Sequence, residues 1–144
     1  MALNGGQHIG GLRSLLLTST VFTTAVTGVL TTPVTGLAGM KLYTAQGVLV
    51  YGSGGTTIKV WVQSSLDGGT TWFDVMNLAF TTASTSIAGT ASPALGKTPV
   101  ASTDGTLADL GINHQLGDRI RLKYTSTGTY GGSTTLTVYG LAKG

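Results

Sequence analysis

Two alternating runs that meet at a single turn constrain this chain more than any other feature. Over residues 56–65, Ile58, Val60 and Val62 fall on one side and Lys59, Trp61 and Gln63 on the other, the period of two that marks a half-buried strand. Asp67-Gly68-Gly69 follows, and residues 71–80 form a second strand-like run. A turn signal between two such runs is the signature of a hairpin. Composition extends the β reading to the whole chain. The 144 residues include 26 Thr and 23 Gly; both are poor in helices, and Thr is good in strands. With 41% hydrophobic residues and a net charge of only +3, the chain can bury a core and does not fit the disordered class. Its length suits one domain.

Other segments fit the same architecture. Residues 40–43 and 48–51 read as strand pieces interrupted by a bulge at Gln46-Gly47. Residues 21–30 are rich in β-branched side chains and read as a strand. Residues 81–103, punctuated by Pro93 and Pro99, read as a long loop with one short strand near 86–88. Residues 119–126 alternate again, with Ile120, Leu122 and Tyr124 on one face, and residues 134–141 form the last strand, with Leu136 and Val138 inward. Short strands, repeated turn signals and no helix signal predict an all-β fold: a single antiparallel β-sandwich or jelly roll over residues 21–144. Residues 1–20 are read as a flexible or partner-ordered N-terminal arm, because Gly5-Gly6 and Gly10-Gly11 make it costly to order alone. Residues 12–17 fit either a short strand or a turn of helix.

Several kinds of chemistry are excluded by residue type. There is no Cys, so disulfides, thiolate nucleophiles and cysteine-held metals are absent. All five acids are Asp, which removes every mechanism that needs Glu. Charged residues make up 9%, against roughly 25% in ordinary soluble domains. Such a weakly charged surface of Thr, Ser and Gly suits a protein that packs against neighbours. The apolar stretch over residues 9–30 has one early cation, Arg13, and is diluted by Thr; it does not read as a signal peptide or a membrane span.

Few constellations remain. Ser65-Leu66-Asp67-Gly68-Gly69-Thr70-Thr71-Trp72 matches the Asp-box pattern, with Ser65, Asp67, Gly69 and Trp72 as its fixed positions. The physical content is a self-stabilised turn: Asp accepts backbone N–H bonds, Gly supplies positive φ, and Trp covers the turn. Sialidase propellers repeat the motif in each blade; here it occurs once. His8 and His114 are separated in sequence and lack companion ligands. Asp104 and Asp109 flank a four-residue segment and could share a cation. No metal, cofactor or catalytic residue is assigned. Arg119, Arg121 and Lys123 share one face of one strand and form the chain's one cationic cluster, read as a candidate interface with an acidic partner surface. Without interleaved aromatics they do not read as a nucleic-acid site.

Residues 58–75, reading Lys-Val-Trp-Val-Gln-Ser-Ser-Leu-Asp-Gly-Gly-Thr-Thr-Trp-Phe-Asp-Val after Ile58, resemble small β-sandwich virion proteins of tailed bacteriophages. Residues 102–109 and 116–130 strengthen the resemblance. It implies a non-enzymatic capsid decoration (cement) protein, made in the host cytoplasm and carried on the capsid surface. Its partners would be the major capsid protein and its own copies, as a dimer or trimer, with no small-molecule substrate, nucleic acid or membrane. The alternatives are another virion component (head-spike base, tail component or fibre adaptor) or, through the Asp-box, a secreted glycan-binding module. That module would use Trp61 or Trp72.

Overall fold

The computed structural model describes residues 11–96 and 98–144. Two four-stranded antiparallel sheets face each other across one core, so the fold is the expected β-sandwich. Sheet A has the order β1 (Gly11–Val21), β10 (Thr135–Lys143), β3 (Leu42–Val50), β7 (Thr85–Ala91). Sheet B has the order β2 (Val29–Leu30), β8 (Arg119–Thr127), β5 (Thr57–Ser65), β6 (Phe73–Phe80). A two-stranded ribbon, β4 (Ser53–Gly54) with β9 (Tyr130–Gly131), closes one end. The only helical turn among the described residues is a short 3-10 helix, Pro93–Leu95.

The alternation read from sequence sets which side chains enter the core. Ile58, Val60 and Val62 of β5 are buried, as are Ile120, Leu122 and Tyr124 of β8 and Leu136 and Val138 of β10. Leu78 and Phe80 of β6 and Leu49 of β3 complete the layer. Burying side chains of this size stabilises the fold by roughly 1.5–3 kcal/mol each.

Three expectations are corrected. Residues 11–20, assigned to the arm, belong to β1, which pairs with β10 from Gly11↔Lys143 to Val21↔Thr135. Its register shifts on either side of Leu17 bring both Leu16 and Leu17 into the core, and those shifts blur the strand's period in the sequence. The remainder of the arm, residues 1–10, lies outside the described residues. Residues 21–30 are not one strand: only Val29–Leu30 pairs in register with β8. Elsewhere along this edge backbone and side-chain bonds are mixed: the Ser126 N–H donates to the Val26 carbonyl, while the Val26 N–H donates to Ser126 Oγ and the Gly28 N–H to Thr125 Oγ1. Gln46-Gly47 is not a bulge: β3 runs unbroken, in continuous register with both β10 and β7. A Cβ at Gly47 would stand 2.7 Å from Cζ of Phe80, so this glycine makes room for an aromatic ring of the opposite sheet.

Sheet B has cover on both edges. Val34 exchanges backbone hydrogen bonds with Ile120 of β8, and the Leu37 N–H donates to the Asp118 carbonyl. On the other edge a strap, residues 103–118, runs beside β6. The Asp74 and Asn77 N–H groups donate to the Thr103 and Gly111 carbonyls, and the Asn113 N–H to the Val75 carbonyl. The strap also folds over the outer face of the sheet, and the Asp-box turn and the cations of β8 lie beneath or beside it.

Candidate functional site

The Asp-box residues build a closed turn between β5 and β6. Ser65 Oγ donates to Asp67 Oδ1 at 3.0 Å and accepts from the Gly69 N–H at 3.0 Å. Asp67 Oδ1 also accepts the Thr70 and Thr71 N–H groups at 3.1 and 2.7 Å. Trp72 Nε1 donates to the Gly69 carbonyl at 2.9 Å, and Gly68 and Gly69 take φ of 77° and 92°. The Thr71 N–H is the main cause that holds the Asp67 carboxyl below its ordinary range. Because the folded pKa is depressed, the turn's contribution is complete above the ordinary carboxylate pKa of about 3.9 and fades as pH falls from there through the folded value. Asp67→Ala should lower the melting temperature by a few degrees at pH 7, by less at pH 3, and leave it insensitive to calcium or sialic acid. A calcium- or sialic-acid-dependent rise in the melting temperature of the wild-type protein would give the turn a ligand-binding role.

Beneath the strap lies a polar cluster. Asp74, fully buried in β6, accepts the N–H groups of Gly105, Thr106 and Leu107 at 2.9–3.1 Å. These successive amides form an anion nest, filled by the chain's own carboxylate. Buried Gln63 donates through Nε2 to Asp74 Oδ1 and to Asp104 Oδ1, both at 2.8 Å, and its Oε1 accepts from Arg121 Nε at 2.8 Å. The Arg121 guanidinium lies 4.0 Å from the centre of the Trp72 ring, a stacked geometry that a guanidinium favours. Burial pushes Arg121 down from its ordinary value. The Gln63 amide, followed by Lys123, holds the Asp104 carboxyl below the usual range. Asn77 receives the Leu110 N–H and donates to the Leu107 carbonyl, which also accepts Trp61 Nε1 at 3.0 Å.

The sequence-assigned residues therefore meet, but as partners of one another. Arg119, Arg121 and Lys123 do share one face of β8, and each has an aspartate of this chain: Asp118 at 2.9 Å, Asp104 at 3.8 Å and Asp104 at 3.0 Å. Asp104 and Asp109 share no cation site, because Asp109 pairs with Lys59 at 3.0 Å. His114 Nδ1 accepts the Ser92 N–H at 3.0 Å; His8 lies outside the described residues. Trp61 and Trp72 are 7% and 8% exposed, so neither offers a stacking platform to a sugar. Among the described residues no three of His and Asp gather as metal ligands.

Sequence reading missed Asp74, Gln63 and Asn77. One signal was available: Trp61 and Gln63 alternate onto the supposedly solvated side of β5, and a large indole there calls for a cover. On the opposite side of the sandwich, no segment among the described residues covers the outer face of sheet A. It presents Arg13 and Leu15 of β1, Tyr139 and Leu141 of β10, and Thr44 and Gln46 of β3, around a shallow depression of about 290 Å³.

No family model and no curated protein matches the chain. Among solved structures, one described as "CBM4 structure and function" is similar at 12% identity and a TM-score of 0.37, covering 80% of this chain. The chain spans 61% of that structure's length.

Proposed function

We propose that this chain is a structural protein of a tailed-phage virion, a capsid decoration protein that assembles with its own copies and bridges neighbouring capsid subunits. The observation that carries the reading is the convergence of the three segments that resemble virion proteins. Residues 58–75 are β5, the Asp-box turn and the start of β6; residues 102–109 are the first half of the strap; residues 116–130 are β8 and its flanks. They meet at Gln63, Asp74, Asp104 and Arg121. The likeness is thus a likeness of one three-dimensional unit, a strapped sheet whose polar groups serve the fold. A chain with only 9% charged residues suits retention by many weak contacts summed through multivalency.

The test is sedimentation of the purified protein with shells of the virus that encodes it, prepared without it. The protein should pellet with the shells at a fixed copy number and raise their melting temperature. Pelleting with isolated tails and not with shells would favour the tail or fibre-adaptor alternative. Binding to neither, with a monomer that binds oligosaccharide, would replace the virion reading with that of a glycan-binding module.

A further inference from the structure

Three of the chain's eight cations gather at one corner of the sandwich, away from its aspartates. All five aspartates, at positions 67, 74, 104, 109 and 118, lie on sheet B, its hairpin turn or its strap. Lys59, Arg119, Arg121 and Lys123 lie among them and are ion-paired there. Sheet A carries no acidic side chain, yet it holds Arg13, Lys143 and, beside its edge, Lys41. Register brings these three together from distant parts of the sequence. Gly11 pairs with Lys143 and Arg13 with Leu141, so Arg13 and Lys143 are diagonal neighbours, roughly 7–8 Å apart at the backbone. The Lys41 N–H donates to the Lys143 carbonyl. None of the three lies within ion-pair distance of an aspartate, and residues 1–10 contain no acid.

We infer that this corner, with the open face of sheet A beside it, is the docking surface for an acidic face of a folded protein partner; on the virion reading, on which this rests, the partner is the capsid shell. Charge complementarity selects the partner's sign. The composition of the face selects its class. Tyr139 and Leu141 of β10 lie between Arg13 and Leu15 of β1 on one side and the polar Thr44 and Gln46 of β3 on the other, and the Arg13 guanidinium lies 5.6 Å from the centre of the Tyr139 ring. An apolar centre with Tyr and Arg beside it and polar groups at its rim is the make-up of a protein interface. Four strands at about 4.8 Å spacing and nine residues of about 3.4 Å give a face of roughly 500 Å². That is a large part of the ~800 Å² each partner contributes to a standard interface. Three cations are few for a phosphate backbone, where affinity scales with the number of charges neutralised.

The experiment compares the wild-type protein, Arg13→Glu/Lys143→Glu and Lys59→Glu for binding to shells prepared without the protein, at 50 and 300 mM salt. Thermal melting serves as the folding control. The double reversal should bind at least tenfold more weakly at 50 mM salt while melting within a few degrees of wild type, and Lys59→Glu should bind as wild type does. Equal binding by the double reversal, or an equal loss with Lys59→Glu, overturns the assignment. Should wild type itself not bind shells, the virion reading fails and the face is judged by NMR titration with a synthetic Glu-Leu repeat peptide at 50 mM salt. Shifts confined to residues 11–15, 41–46 and 139–143, abolished by the double reversal, uphold it. Shifts elsewhere, no shifts, or tighter binding of duplex DNA at those residues overturn it.

Discussion

Replacing Asp74 with alanine should destabilise the domain by about 3–5 kcal/mol, because several amide donors lose their one acceptor at once. The carboxylate is the common acceptor of three successive strap amides and the Gln63 amide. Each buried donor left unmet costs ~1–3 kcal/mol, and the total is reduced because part of the strap can open to water. A domain of this size has only ~5–15 kcal/mol in hand, so the variant should unfold at much lower urea. Asp74→Asn should recover little, since its amide nitrogen would turn a donor toward the nest. An unfolding free energy from urea titration within about 1 kcal/mol of wild type would show that the strap is held by other contacts.

Gly117→Ala should cost about 3 kcal/mol, at the upper end for overpacking. A Cβ at this position would press into the Ser65 carbonyl and stand 3.0 Å from the Leu66 nitrogen. Both are backbone, so neither can swing aside. The same close approach lets the Gly117 N–H donate to Ser64 Oγ at 2.6 Å and the Asp118 N–H to the Ser65 carbonyl at 3.1 Å. The strap's end, the Asp-box turn and the start of β8 are thereby fastened at one point. Equilibrium urea unfolding measures the effect, and a loss below 1 kcal/mol would mean that the strap's end relaxes freely.

What was legible in the sequence followed from periodicity and local chemistry. The inward faces of β5, β8 and β10 follow from period two alone. The Asp67 turn is visible because its donors and acceptors lie within eight consecutive residues. Gly47 misled because a glycine inside a strand has two readings, bulge or close approach, and the ring that decides between them, Phe80, is 33 residues away. Asp74 was invisible for a related reason: its partners are 31–33 residues further along the chain. The cations of β8 were the visible cluster because they are contiguous, whereas Arg13, Lys41 and Lys143 become neighbours only through the register of β1, β10 and β3.

On the proposed reading, one face of this sandwich is structural and the other is its meeting surface. The most direct measurement is amide hydrogen exchange of the protein on shells compared with the protein free. Residues 11–15, 42–46 and 139–143 should gain protection on binding, while the strap, residues 103–118, exchanges as it does in the free protein. Protection gained in the strap and β8, with the strands of sheet A unchanged, would contradict it.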